Sequence, residues 1–170
     1  MKKLLSLLLV LCMTLPVFAL AEDAGIKLGQ VDYAAHGTKC FAVLTVAMQG
    51  DTIVAAYIDE FQFMDAATAQ GVPNSDQGFG ESYPEGKVLA SKRVNSEMYS
   101  ANMANAGSTV ALADNYAAIE AFVTGKTIAE LEAAVEGKTA EEMVDAVSGA
   151  TLVDTLGYVK GLIEAAKAAQ

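Results

Sequence analysis

Apolar residues of the kinds that favour β-structure dominate the first part of the chain. Three stretches favour strands, Lys27 to Ala34, Lys39 to Met48 and Thr52 to Phe63, and the second and third are rich in Val, Ile, Phe and Tyr. The segment from Gln49 to Asp51, between the second and third stretches, is typical of a hairpin turn. The pattern predicts an antiparallel meander of strands.

The second half of the chain has the apolar spacing of several short helices. Asn95 to Met103 and Asn115 to Thr124 are compatible with one buried face each, and a final helix is predicted from about Leu152 to Ala168. Thr127 to Glu130 and Thr139 to Glu142 are capping boxes, in which the threonine hydroxyl and the glutamate carboxylate each accept an amide at a helix start. We therefore predict an α+β fold, with the antiparallel N-terminal meander packed against several C-terminal helices.

Residues 65–93 separate these two parts and show little periodicity, apart from a predicted helical turn over Asp65 to Gln70. The segment is rich in Gly and Pro, and a loop of this length in a compact domain is usually functional or disordered. Its aromatic residues Phe79 and Tyr83 favour an ordered loop that packs on other parts of the domain.

The N-terminus has the order of a secretory signal peptide. Two lysines precede an apolar run from Leu4 to Phe18, and small residues follow at Ala19 and Ala21. We expect cleavage after Ala21, which would place the remaining single domain, residues 22–170, outside the cytoplasm. The alternative is an uncleaved membrane anchor, but Pro16 interrupts the apolar run.

Charge and cysteine content narrow the classes of partner and site. The formal charge of −10 becomes −12 once Lys2 and Lys3 are removed, so neither nucleic acid nor anionic lipid is an expected partner. Cys40 is then the only cysteine, which excludes an internal disulfide, and its apolar surroundings predict a buried small hydrophobe. Because His36 is the only histidine, we expect it to be structural and predict no zinc or haem site.

The segment from Asp145 to Asp154 has the features of a helix end, a turn of small residues and a new helix start. Gly149 can adopt a positive φ and Ala150 adds no bulk, while Thr151 is predicted to be the N-cap with Asp154 at the third helical position. Free amides at such a start, together with the helix dipole, stabilise a phosphate. The alternative is a plain capped loop between two helices.

Five residues of this segment, Asp145, Ser148, Gly149, Ala150 and Thr151, match the pattern Asp-x-x-Ser/Thr-Gly-Ala-Thr/Ser. The segment thereby resembles the FMN-binding domain of the flavin subunits of the sodium-pumping NADH:quinone oxidoreductase and Rnf complexes. Phe122 to Thr127 also looks like a segment of small exported flavin-domain proteins of Gram-positive bacteria.

In that family a flavin transferase esterifies the FMN phosphate to the last threonine of the pattern, which is Thr151 here. The resemblance further implies that Ser148 and Gly149 help to hold the phosphate and that Asp145 belongs to the signature read by the transferase. The implied function is an extracytoplasmic electron carrier between a redox donor and an acceptor that the sequence does not identify.

The flavin ring needs an apolar or aromatic surface, and Phe79 and Tyr83 in the long loop are the first candidates. The alternative is that these two side chains close the core. Lys92 and Arg93, an adjacent basic pair, are candidates to stabilise the reduced flavin or the phosphate, with solvated charges as the alternative.

Other function classes lack their motifs. Gly78 to Gly80 has no third glycine, so we expect no direct oxidation of NADH, and Glu120 and Glu132 replace the first glycine of a phosphate loop before the Gly-Lys-Thr triplets. Ser148 also lacks the Gly-x-Ser-x-Gly elbow of a hydrolase. The remaining alternative is a non-catalytic exported module that binds FMN or another phosphate ligand reversibly, or only a protein partner.

Overall fold

The computed structural model describes residues 25–37 and 39–169. The signal peptide predicted for residues 1–21 lies outside the described residues. Within the described part, no helix combines the length and the apolar character needed to cross a membrane.

The predicted meander is confirmed as a four-stranded antiparallel sheet whose strands lie side by side in chain order. The strands are β1 (Ile26–Tyr33), β2 (Cys40–Gln49), β3 (Thr52–Asp65) and β4 (Lys87–Ser91). The prediction of an irregular segment over residues 65–93 was wrong at β4, which is too short and too mixed in composition to show a period of two. The rest of that segment contains a single helical turn after Asp65, closed by the Ala69 amide on the Asp65 carbonyl at 2.9 Å, and a short 3₁₀ helix at Gly78–Ser82.

Five helices follow the sheet, which confirms the predicted α+β class. They are α1 (Ser96–Asn105), α2 (Leu112–Val123), α3 (Ile128–Val135), α4 (Ala140–Ala146) and α5 (Thr155–Ala168). Both predicted capping boxes are present, at the starts of α3 and α4. The turn before α3 also pairs with the sheet, because the Ile53 amide donates to the Lys126 carbonyl at 3.0 Å.

The core lies between one face of the sheet and the helices, mainly α5 and α2. The alternation along β2 explains this face, because every second side chain from Ala42 to Met48 is buried. From the helical side, α5 contributes Tyr158, Val159 and Leu162, and all three are almost fully buried.

Close packing of β1 on α5 depends on Gly29. A Cβ atom at this position would lie 1.9 Å from the carbonyl oxygen of Ala165, which belongs to the backbone of α5 and cannot rotate away. Any side chain at residue 29 would therefore push the strand and the helix apart.

We expect Gly29→Ala to lower the free energy of unfolding by about 3 kcal/mol or more, because overpacking against backbone cannot be relieved by a rotamer change. Gly25→Ala is the matched control, since its Cβ would meet nothing within 4 Å, and should change stability by less than about 0.5 kcal/mol. Urea unfolding followed by circular dichroism measures both. Equal stability of the two variants would contradict this packing.

Candidate functional site

The segment that resembles a flavin attachment site forms a surface turn between α4 and α5. Val147 and Ala150 point into the protein, with exposed fractions of 1% and 5%, while Ser148, Gly149 and Thr151 are exposed. Two buried side chains thus anchor the turn and leave the positions between and after them at the surface.

Asn115, on the first turns of α2, holds this turn in place. Its side chain is fully buried, and its Oδ1 accepts the amide of Thr151 at 2.6 Å, the amide of Leu152 at 3.2 Å and the Thr151 hydroxyl at 3.3 Å. Its Nδ2 donates to the carbonyl of Val110 at 3.2 Å and to that of Ala111 at 3.0 Å. Because both ends of the amide are occupied, Asn115 fixes the position of the Thr151 hydroxyl relative to α2.

The prediction that Thr151 is the N-cap of the last helix was wrong. The N-cap is Asp154, and α5 begins at Thr155, whose amide and hydroxyl both donate to the Leu152 carbonyl, at 3.0 and 2.6 Å. The physical reason is the Asn115 side chain, which takes the amides of Thr151 and Leu152 that a helix start would have presented to a ligand.

Gly149 gives the turn its shape. Its φ of +91° lies in the left-handed region that side chains rarely adopt, and a Cβ there would approach the Cβ of Ala118 to 3.4 Å. Within the described part of the chain, the amides of Ser148 and Gly149 donate no hydrogen bond. These two donors, rather than those of α5, are available to an anion beside the Thr151 hydroxyl.

A second polar site lies inside the core, around Glu60 of β3. Glu60 is fully buried, and its Oε2 contacts the Lys92 ammonium and accepts the Tyr158 hydroxyl at 2.9 Å and the Tyr116 hydroxyl at 3.5 Å. Burial lowers the pKa of Lys92, but the hydrogen bond and the charge of Glu60 outweigh it and the net pKa is raised. Lys92 is thus held as a cation although it is only 2% exposed.

His36 and Cys40 lie at the edge of this cluster. The Cys40 Sγ and His36 Nε2 atoms are 2.8 Å apart, and the same nitrogen lies 3.2 Å from Lys92 Nζ and 3.4 Å from Glu60 Oε1. The prediction of a buried small hydrophobe at Cys40 was wrong, because the thiol is only partly buried and its neighbours are polar. Burial, and next the charge of Glu60, raise the pKa of this thiol to about 11.

Arg93, the second residue of the basic pair, is also held by partners within the fold. Its guanidinium pairs with Glu120, donates to the carbonyl of Ile58 at 2.6 Å and stacks over the ring of Tyr57 at 4.3 Å. Burial raises the pKa of Glu120, while the Ile58 amide and Arg93 oppose that shift. The alternative of solvated charges was therefore wrong for both cations of the basic pair, since Lys92 and Arg93 are each matched by a carboxylate.

Phe79 and Tyr83 form an aromatic cluster with Phe63 near the end of β3. The ring of Tyr83 contacts Phe63 edge-on at 5.0 Å and Phe79 at 5.8 Å. Phe79 is 70% exposed, so it does not close the core, and the buried Tyr83 hydroxyl has no hydrogen-bond partner within residues 25–37 and 39–169. No hydrogen bond, ion pair or ring contact between described residues joins this cluster to the Thr151 turn.

Sequence reasoning did not select Asn115 or Glu60. Glu60 carried a usable signal, because it is a charged residue at an inward position of an alternating strand, flanked two residues earlier by Ile58. Asn115 carried none, since an asparagine near a helix start is ordinary and its partners in the turn, Thr151 and Leu152, lie 36 and 37 residues away.

Comparison with known proteins adds nothing to this description, because no family model, no curated protein and no solved structure matches the chain. The resemblance of residues 145–151 to flavin domains stays a prediction from the sequence.

Replacing Asn115 tests its role in holding the turn. We expect Asn115→Leu to lower the free energy of unfolding by about 2 kcal/mol or more, because it leaves amides and carbonyls without partners in place of hydrogen bonds. Asn102→Ala removes an exposed asparagine from α1 and should cost less than about 0.5 kcal/mol. Chemical denaturation of the two variants beside the parent protein measures the difference, and an Asn115→Leu variant as stable as Asn102→Ala would refute the assignment.

An alkaline titration tests the buried cluster. Burial, followed by the charge of Glu60 for Tyr116 and that of Tyr116 for Tyr158, raises the pKa of both phenols far above the ordinary value. The neutral phenols stabilise the folded state. Their contribution to the free energy of unfolding is therefore complete below about pH 10, the usual tyrosine pKa, and is lost as the pH rises above that value. Tyrosinate absorbance should show that at least two of the six tyrosines ionise only when the protein unfolds. Ionisation of all six before unfolding would contradict the described cluster.

Proposed function

We propose that this chain is an extracytoplasmic flavoprotein electron carrier in which FMN is attached through a phosphoester to Thr151. The exposure of Thr151 on an anchored turn carries the proposal. A hydroxyl that a transferase modifies must stand outside the core, and a turn that positions a cofactor must not move freely. Val147 and Ala150 supply the anchors, and Asn115 fixes the hydroxyl.

The exposure of the turn supports the proposal that a separate enzyme recognises the residues that match the flavin-domain pattern. Asp145, Ser148 and Gly149 are exposed together with Thr151, whereas Ala150, the remaining residue of the pattern, is buried. We propose that a flavin transferase reads the exposed members and that Ala150 keeps the turn against the core.

Attachment would form a bond between the Thr151 hydroxyl oxygen and phosphorus, and the hydroxyl proton would be lost. Asn115 Oδ1, at 3.3 Å, orients the hydroxyl by accepting its hydrogen bond. An amide oxygen is too weak a base to remove that proton, so the base, the activated flavin nucleotide and the departure of its leaving group belong to the transferase.

The phosphate would lie beside donors that carry no side-chain charge. The free amides of Ser148 and Gly149 lie in the same turn, and the positive φ of Gly149 turns the backbone there. Backbone N–H groups arranged in this way stabilise an anion even on a protein whose net charge is strongly negative.

For the flavin ring, Phe79 and Tyr83 stay the proposed contacts. The exposed Phe79 ring, which contacts the ring of Tyr83, supports that assignment, because a flavin offers a flat apolar face. A flavin is not required to balance the charges of Lys92 and Arg93, because Glu60 and Glu120 already do so.

FMN, when attached, supplies one-electron and two-electron transfer, and the protein supplies its position and its surroundings. We propose that the electron donor and acceptor are other proteins or small molecules outside the cytoplasm, so the chain is a carrier rather than a stand-alone enzyme.

Co-production with a flavin transferase tests the attachment site. The parent protein should be yellow and keep its colour after denaturation and filtration. Thr151→Ser, which keeps the hydroxyl, should also be yellow, and Thr151→Val should be colourless. Thr151→Val should remain folded at a cost below about 1 kcal/mol, because it loses only the hydroxyl hydrogen bond while the Thr151 amide still donates to Asn115.

Thr124→Val is the matched control, since Thr124 is an exposed threonine whose hydroxyl donates to a carbonyl of its own helix. This variant should carry as much covalent flavin as the parent protein. Covalent flavin on Thr151→Val would overturn the assignment to Thr151. Flavin that washes out of the denatured parent protein would instead support a reversible binding module, and a parent protein that takes up no flavin would rule out both.

A further inference from the structure

We propose that His36, Cys40 and Glu60 form a binding site for a soft metal cation, and that Cu(I) is the ion that suits it. The site is separate from the Thr151 turn and does not depend on the flavin proposal. It arises only in the folded chain, because His36 follows β1, Cys40 is the first residue of β2 and Glu60 lies on β3.

The three residues offer one ligand atom each, and these atoms all lie within 4.8 Å of one another. They are an imidazole nitrogen, a sulfur and a carboxylate oxygen, a set in which the thiolate selects Cu(I) or Zn(II) over hard cations such as Mg²⁺. The cluster is partly exposed at His36 and Cys40 and fully buried at Glu60, so a cation could enter from one side.

One carboxylate oxygen of Glu60, Oε1, is buried in this cluster and has no hydrogen-bond donor among the described residues. Its Oε2 is saturated by Lys92, Tyr158 and Tyr116, whereas its Oε1 accepts no hydrogen bond from the described residues. His36 Nε2 lies 3.4 Å from Oε1, which is long for a hydrogen bond. A fully buried carboxylate oxygen of this kind favours a cation beside it.

The charges of Glu60 and Lys92 determine whether a monovalent or a divalent cation is favoured in the cluster. Glu60 and Lys92 already neutralise each other in the interior. A Cu(I) ion that binds the Cys40 sulfur replaces one proton, which leaves to solvent, so the net charge of the cluster does not change. A Zn(II) ion bound in the same way would add one uncompensated positive charge next to buried Lys92, which is unfavourable at low dielectric.

Metal binding requires a small separation of two ligands. Cys40 Sγ and His36 Nε2 are 2.8 Å apart, whereas a thiolate and an imidazole on one metal ion are about 3.5 Å apart by ordinary bond lengths. His36 lies in the connection between β1 and β2 rather than in either strand, so its ring can move without breaking the sheet.

A competition titration under anaerobic conditions tests the site, with Cu(I) held by the chelator bathocuproine disulfonate. The full chain is used with Cys12→Ser in every variant, because Cys12 is the only other cysteine. The parent protein should withdraw one Cu(I) per chain from the chelator and release one proton. Cys40→Ser and His36→Gln should bind at least about tenfold more weakly.

Met98→Leu is the matched control, because it removes a soft sulfur outside the cluster and should leave Cu(I) binding unchanged. Circular dichroism confirms that each variant is folded. Equal withdrawal of Cu(I) by the parent protein and Cys40→Ser would overturn the site, as would a parent protein that withdraws none.

Zn(II) provides the test of the charge argument. The parent protein should bind Cu(I) in preference to Zn(II), measured by competition with a zinc-selective dye, and Lys92→Met should shift the preference toward Zn(II), because Glu60 is then free to balance a divalent ion. A parent protein that takes Zn(II) in preference to Cu(I) would overturn the assignment of Cu(I). Should Lys92→Met fail to fold, the comparison of the two ions on the parent protein still decides that point.

Discussion

The buried ion pair of Glu60 and Lys92 is the constraint on which the rest of this structure depends. Two charges inside a protein are tolerated only when they are paired and hydrogen-bonded, and here the pairing draws on separate parts of the chain. Glu60 lies on β3, Lys92 follows β4, and the phenols that complete the carboxylate come from α2 and α5. Loss of one partner would leave a buried charge, at a cost of about 3–5 kcal/mol. Sheet and helices are therefore fixed to each other by polar contacts as well as by apolar packing.

Helix α2 links the buried pair of Glu60 and Lys92 to the surface turn that contains Thr151. Asn115 and Tyr116 are neighbours on α2: the first holds the Thr151 turn and the second reaches Glu60. On the other side of the turn, α5 carries Tyr158 to the same carboxylate. A surface hydroxyl on a short connection would ordinarily be mobile, but this one is tied to two helices whose relative position the interior sets. Such support is what a position for a cofactor requires.

Features that depend on residues close together in the sequence were predictable, and contacts between distant segments were not. The capping boxes at Thr127 and Thr139 need only residues three positions apart, and the meander needs only composition and a turn. The N-cap of α5 failed as a prediction because the deciding acceptor, Asn115, lies 36 residues away from Thr151. The prediction that Cys40 is a buried small hydrophobe failed for the same reason. Its sequence neighbours are apolar, but the fold places it beside a histidine and a buried carboxylate. The exposed small-residue turn itself was visible in the sequence, because glycine at residue 149 is needed for its positive φ.

Mass spectrometry of the protein isolated from its native cell envelope tests most directly the proposal that Thr151 carries a flavin. We expect an intact chain heavier by one FMN less one water, with the added mass on the proteolytic peptide that contains Thr151. An intact chain without added mass, or an added flavin on a peptide that lacks Thr151, would contradict it.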